Sequence, residues 1–322
     1  MIEKRKLGRS GPAITTVGFG AWAAGGPWLY GWGPQEDEAS VDAIRRALDM
    51  GVNWIDTAAI YGYGHSEEVV GRALQGRDRS RVLIATKCGR VPDEKGVPHG
   101  NLRPDTIQRE LEASLRRLKT DYIDLYQFHW PDVETGTPIE ESWQKMAALQ
   151  DEGKVRYIGV SNFDVPLLQR CEAIRHVDSL QPPYSLIRRD IEAEILPWCL
   201  ANGTGVIVYS PMQKGLLSGS FDIHRVAPDD HRRRDPMFRE PELSRNLKLV
   251  ERLRPIAARH GKTVGQLAVA WTLMHPGVTA AIVGARRAAQ VEENVGAMGW
   301  RLTEGEMAEI EAALRERWQN SA

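Results

Sequence analysis

At 322 residues the chain is long enough for one large domain or two ordinary ones, with ample sequence for a sizeable core. A formal net charge of −1, with 26% of residues charged, provides no global field for nucleic acid or an anionic membrane surface. Cys88, Cys171 and Cys199 are odd in number, far apart and in no CxxC pair, which speaks against a disulfide framework or a zinc site and for a reducing cytoplasm.

The chain opens on Met-Ile-Glu-Lys-Arg-Lys with no apolar leader, and no apolar stretch approaches a membrane span, so no targeting segment is expected. Residues 4–7 and 14–17 read as a hairpin across Gly8 and Gly11. Eight strand-like runs then follow, at 17–20, 53–56, 82–87, 123–129, 156–161, 179–181, 205–209 and 280–283. Helical patterns separate them. Thr137-Pro138-Ile139-Glu140 combines a capping box with proline at the first helical position, and Thr263 to Gln266 and Thr303 to Glu306 repeat the box. The wholly apolar run Val206-Ile207-Val208 suits a parallel strand covered on both faces.

Eight strand-then-helix units predict a (β/α)8 TIM barrel occupying residues 1–322 as a single domain, with the N-terminal hairpin capping its bottom and an extra C-terminal helix. A doubly wound dinucleotide-binding sheet is the competing architecture, because Gly18-Phe19-Gly20-Ala21-Trp22-Ala23 satisfies G-x-G-x-x-A after a strand. That fingerprint needs a helix to open at once, and Gly25-Gly26-Pro27 with Gly31-Trp32-Gly33-Pro34 forbids one. The longest irregular stretch, residues 215–239, follows the seventh strand and holds Arg232, Arg233 and Arg234. It reads equally as a solvated face and as a clasp over a bound anion.

Three successive strands end in ionisable groups, Asp56, Lys87 and His129, and Tyr61 lies just past the first of them. Ending buried strands this way carries a desolvation cost that asks for a reason. In a barrel the C-terminal strand ends form one face, so the four groups would share a pocket suited to proton transfer. A Lys87 ammonium beside Tyr61 is expected to lower the phenol's pKa from about 10, with Asp56 holding the ammonium charged. His129 can donate a hydrogen bond to a carbonyl. The set suits carbonyl reduction or its reverse, with Tyr61 as general acid or base; since no side chain supplies hydride, a nicotinamide is implied.

Asn162 and Gln181, with Ser161 beside them, can hydrogen-bond a nicotinamide carboxamide, and Tyr209 can stack on its ring. Phosphates fall to the loops after the seventh and eighth strands, where Ser210, Pro211, Met212, Lys214, Gly215 and Leu217, then Gly284, Arg286, Arg287, Gln290, Glu293 and Asn294, are the candidate contacts. Two arginines there favour a 2′-phosphate, hence NADP(H), with NAD(H) as the alternative. Ala21 and Trp22 after the first strand complete the cofactor set, and Trp28, Trp32 and Trp130 are candidate walls of a substrate pocket.

These motifs, Asp56-Thr57-Ala58-Ala59-Ile60-Tyr61-Gly62, Lys87, His129, Gly159-Val160-Ser161-Asn162, Gln181-Pro182-Pro183-Tyr184, Tyr209-Ser210-Pro211-Met212 and Gly284-Ala285-Arg286 with Gln290 and Glu293-Asn294, resemble the aldo-keto reductase superfamily across nearly the whole chain. The opening Gly20-Ala21-Trp22 with Gly25-Gly26, and the closing Gly-Ala-Arg-Arg and Gln-x-x-Glu-Asn, are similar to its bacterial general-stress and potassium-channel-β-like branches and depart from the Lys-Ser…Arg clamp of the aldose reductase branch. The resemblance implies a barrel that binds NAD(P)H without a Rossmann fold, an Asp-Tyr-Lys-His tetrad, and a small carbonyl or alcohol substrate. It leaves a second reading, an NADP(H)-sensing regulatory subunit with little turnover. A Schiff-base lyase using Lys87 is a third, and metal-dependent hydrolysis the weakest, since only His129 ends a strand. The oligomeric state is not set by these features.

Overall fold

The computed structural model describes residues 2–228 and 230–319. In chain order the strands are β1 (Lys4–Lys6), β2 (Ala13–Thr15), β3 (Val17–Gly20), β4 (Trp54–Asp56), β5 (Leu83–Cys88), β6 (Arg90–Pro92), β7 (Pro98–Gly100), β8 (Ile123–Phe128), β9 (Val155–Ser161), β10 (Ser179–Gln181), β11 (Gly205–Val208) and β12 (Ala280–Gly284). The helices are α1 (Asp37–Asp49), α2 (His65–Leu74), α3 (Pro104–Leu118), α4 (Ile139–Asp151), α5 (Val165–Glu172), α6 (Ile195–Asn202), α7 (Glu242–Ala258), α8 (Val264–Met274), α9 (Ala288–Val295) and α10 (Glu304–Gln319).

Eight strands close a barrel in the order β10-β11-β12-β3-β4-β5-β8-β9, and every pair around it is parallel. All eight expected strands are there, within a residue or two of their expected bounds. Outward side chains such as Phe19, Ile55, Ile84, Tyr126 and Val160 pack against the helix ring. Inward ones, Trp54, Leu83, Ala85, Leu125, Ile207, Ala280 and Ile282, fill the lower barrel together with Leu7 and Ile14 from the β1–β2 hairpin. The hairpin therefore caps the bottom, as expected. Trp54 fits because β3 offers Gly18 opposite it: a Cβ there would lie 2.1 Å from the indole, whose Nε1 donates to the Thr15 carbonyl at 2.8 Å.

The glycine-rich segment after β3 forms a single 3-10 turn (Trp22–Gly25) and irregular backbone up to α1, so the dinucleotide fingerprint is coincidental. The capping box at Thr263 forms, with Gln266 N donating to Thr263 Oγ1 and Thr263 N to Gln266 Oε1. Thr303 and Glu306 bond reciprocally in the same way ahead of α10. The box expected at Thr137 does not form. Extended Pro138 occupies the cap of α4, and the Thr137 hydroxyl instead meets Thr135 Oγ1 at 2.7 Å. The β6–β7 hairpin was not foreseen. No helix among the described residues is long and apolar enough to cross a membrane.

Candidate active site

Asp56 ends β4, Lys87 is the penultimate residue of β5, and His129 follows β8; these three strands are neighbours in the barrel. Tyr61 opens a 3-10 turn (Tyr61–Gly64) that is held against the loop after β3. Gly62 makes that approach possible. Its φ is 60°, and a Cβ would lie 2.1 Å from the Gly25 carbonyl oxygen.

The four groups meet. Lys87 Nζ, fully buried, donates to Asp56 Oδ1 at 2.6 Å, to the Thr57 carbonyl at 2.8 Å and to Tyr61 Oη at 3.3 Å. The His129 ring stands edge-on to Tyr61 with centroids 5.6 Å apart. Gln181 Nε2 donates to the other Asp56 oxygen at 2.8 Å and approaches Gln127 Oε1 at 3.3 Å. A continuous polar chain thus crosses the upper barrel from Gln127 through Gln181, Asp56 and Lys87 to the phenol.

Burial pulls the Lys87 ammonium below its ordinary value, and Asp56 opposes that pull. Burial, with the Lys87 and Arg90 charges, drives His129 well below 6.5, so the imidazole is neutral at neutral pH. The Tyr61 phenol departs from the sequence expectation: burial, then the Asp56 carboxylate and Tyr209, hold it well above 10. The reason is geometric. Tyr61 is buried and faces the Asp56 carboxylate, and both disfavour a phenolate.

A cavity of about 990 Å³ opens above this cluster at the C-terminal ends of the strands. Asp56, Tyr61 and His129 line it, while Lys87 stands behind them. Of the expected cofactor contacts, Trp22, Ser161, Asn162, Gln181, Tyr209, Ser210, Pro211, Met212, Lys214, Gly215, Gly284, Arg286, Gln290, Glu293 and Asn294 line it too. Asn162 is fixed on three sides, donating to the His129 carbonyl and Ser161 Oγ and accepting from Tyr209 Oη at 2.9 Å. Burial pushes the Tyr209 phenol up to about 12. Arg286 Nε donates to Gln35 Oε1 at 2.7 Å, and its Nη2 donates to the Pro34 carbonyl, tying the loop after β12 to the loop after β3.

Three expected contacts lie elsewhere. Ala21 is buried beneath the site, its N–H donating to the Asp56 carbonyl and its own carbonyl accepting from Ser66. Leu217 is wholly buried in the core. Arg287 is exposed at the cap of α9 and does not line the cavity. In each case a neighbour in sequence reaches the cavity while this side chain points away.

Trp28, Trp32 and Trp130 all line the cavity, and Trp22, Trp28 and Tyr61 form one ring cluster with centroids 4.8–6.1 Å apart. Within the 215–239 loop, Arg232 packs over Trp32 at 5.3 Å, pairs with Asp230 and reaches the Lys214 carbonyl, while Lys214 pairs with Asp235 at 2.9 Å. Arg233 turns away to staple the loop's own carbonyls, Ile223 and Val226 among them. Arg90, Arg188 and His231 also line the cavity and were missed. Arg90 had a signal, since it follows β5 by only two residues. Among the described residues no cluster of three or more His, Cys, Asp or Glu could hold a metal ion.

A parallel eight-stranded barrel thus gathers a buried Asp–Lys pair, a phenol and an imidazole at its C-terminal face. The chain belongs to the aldo/keto reductase family, whose profile matches residues 16–315. It is 38% identical to the aldo-keto reductase YhdN of Bacillus subtilis (strain 168), over 97% of this chain and 94% of that one. It is 35% identical to the NADH-specific methylglyoxal reductase of Escherichia coli (strain K12), over 97% and 99%. The solved structure of a glycerol dehydrogenase from Gluconobacter oxydans superposes with a TM-score of 0.88 at 37% identity, covering 98% of this chain and 95% of that one.

Proposed function

We propose that the protein is a nicotinamide-dependent reductase of aldehydes or ketones, also running the reverse alcohol oxidation, with Tyr61 as the proton donor. The observation that carries this reading is the Lys87 ammonium, 2.6 Å from Asp56 and 3.3 Å from Tyr61, just behind the residues that line the cavity. A phenol held above its ordinary pKa is protonated at neutral pH, which suits the reducing direction. As a carbonyl oxygen gains charge, Tyr61 gives up its proton and Lys87 stabilises the phenolate left behind. Neutral His129 donates a hydrogen bond to the same oxygen and fixes its direction.

The residues present fit a nicotinamide dinucleotide. Gln181 has its amide N–H committed to Asp56, which leaves its oxygen to accept from a carboxamide, and Ser161, Asn162 and Tyr209 stand beside it. When bound, the nicotinamide supplies the hydride. Lys214, Arg232 and Arg286 then offer positive charge to its phosphates. Preference for NADP(H) rests on Arg286 alone, since Arg287 points away, and a relative whose name specifies NADH makes NAD(H) the competing choice.

Fluorescence titration with NADPH and NADH, followed by stopped-flow reduction of an aldehyde panel by the wild type and Tyr61→Phe, tests the reading. The variant should bind cofactor normally and lose about 10²–10⁴ in kcat. Undiminished turnover in Tyr61→Phe would sink the mechanism. Tight cofactor binding with no wild-type turnover would instead select the regulatory-subunit reading.

A further inference from the structure

Among the described residues seven basic side chains besides His129 line the cavity, and most are accounted for by the loops that carry them. Lys214 and Arg232 are paired with Asp235 and Asp230 at 2.9 and 2.7 Å, and Arg286 is bound to Gln35 and Pro34. His231 sits among them on the loop after β11, as does exposed Arg234, and Arg188 follows β10 beside Tyr209 with 42% of its side chain exposed. All six lie on the β10–β12 side of the mouth, where the dinucleotide is proposed to bind.

Arg90 stands apart. It follows β5, which lies four strands from β11 whichever way the barrel is traced, so it faces the cavity from the opposite wall. It shares that wall with His129 and Trp130, and its charge reaches the imidazole. Among the described residues it makes one hydrogen bond, from Nη2 to the Pro98 carbonyl at 2.8 Å. Its nearest carboxylate, Glu134, is 3.7 Å from Nη1 and is committed to Gly100 N at 2.6 Å and His99 Nδ1 at 2.8 Å. A guanidinium offers five N–H donors in a planar fork suited to a carboxylate, and most of this fork is unused. Its side chain is only 26% exposed and its ion pair with Glu134 is long, so the fork keeps donors that neither protein nor bulk water fully engages.

We infer that Arg90 binds an anionic group on the substrate, and that the protein acts on carbonyl compounds bearing a carboxylate. The inference rests on the reductase reading above and adds the substrate class. The carbonyl takes the position between Tyr61 and His129, and the carboxylate reaches the β6–β7 hairpin. Proton and hydride go to the carbonyl as before, and the carboxylate is unchanged by the reaction.

The test compares para- and meta-carboxybenzaldehyde with their methyl esters, which keep the ring and the aldehyde but lose the charge. With wild type, kcat/KM should favour an acid over its ester by about 10–100-fold, the range of a hydrogen bond to a charged group, chiefly through KM. Arg90→Gln should collapse that ratio to near one, Arg90→Lys should restore part of it, and added salt should erode it in the wild type. Reduction of both compounds without a preference for the acid overturns the assignment and leaves the reductase reading standing. An acid preference that survives Arg90→Gln also overturns it. If neither compound is reduced with NADPH or NADH, the reductase reading falls and takes this assignment with it.

Discussion

At the bottom of the barrel two buried carboxylates are saturated. Asp124 accepts from Arg79, Arg156 and the Ile84 N–H, and Asp178 accepts from Ser10, Gln150 and the Ile158 N–H. At the top, Asp56 is equally buried, but its partners Lys87 and Gln181 lead onward to a phenol at the cavity wall and to Gln127, whose Nε2 has no partner. His129 Nδ1 and the indole nitrogens of Trp22, Trp28 and Trp32 are likewise buried without partners around this end. Buried polar groups cost stability unless they are bonded, so the bottom spends its polar residues on holding strands together. Unbonded hydroxyls occur at the bottom too, on Thr16, Ser179 and Thr204. At the top, however, the unbonded groups of Trp22, Trp28, Trp32 and His129 belong to side chains that line the cavity, a pattern expected where a ligand completes the network.

Breaking each end should therefore give a different symptom. Tyr61→Phe should lower kcat for carbonyl reduction by about 10²-fold or more with little change in melting temperature, since it removes the proton donor and leaves the buried Lys87–Asp56 pair intact; full activity by steady-state assay would refute the division. Asp124→Ala should do the reverse. It strands the Arg79 guanidinium and the Ile84 N–H, for a loss of about 3–5 kcal/mol in denaturant unfolding, while kcat per folded molecule is kept. Leu7→Ala removes one half of the apolar plug and should cost about 2–4 kcal/mol by the same measurement.

Two smaller effects depend on pH. Reduction needs the Tyr61 phenol protonated, the form present below its pKa, and that pKa lies well above 10. Reductive kcat/KM should thus stay level up to about pH 9, and a fall centred near about pH 7 would contradict the electrostatics of the site. Glu110 on α3 accepts from Gly89 N at 2.7 Å, and burial raises its pKa to about 7. An acid whose folded pKa is raised binds its proton more tightly when folded, so its contribution to stability is present at low pH and is lost as pH rises from its unfolded value through about 7. Thermal melts across that window should show the decline, and Glu110→Gln should flatten it.

The eight barrel strands are legible in the sequence because helices cover one face and the plugged interior the other, which leaves short continuous apolar runs. The tetrad is legible for the opposite reason: Asp56, Lys87 and His129 are conspicuous at the ends of such runs. The β6–β7 hairpin is hidden because Arg90-Val91-Pro92 and Pro98-His99-Gly100 are short, carry prolines and show no alternation. With it went Arg90. Ala21, Leu217 and Arg287 fall outside the cavity lining because turns send adjacent side chains in opposite directions, which residue type alone does not report. The direction of the Tyr61 shift was missed because it depends first on how deeply the phenol is buried, which a loop residue's sequence position does not report.

The seam that closes the barrel joins β3 to β12, pairing Val17 through Gly20 with Ala281 through Gly284. These partners are separated by about 260 residues, so at 5–20 residues per second a ribosome needs roughly 13–50 seconds to supply the second after the first. Throughout that interval β3 has at most one barrel neighbour, β4, and the mouth of the cavity lacks its last wall. Enzymatic competence therefore arrives late in synthesis, with the final strand, and a chain released early would carry the tetrad residues without the closed barrel that gathers them.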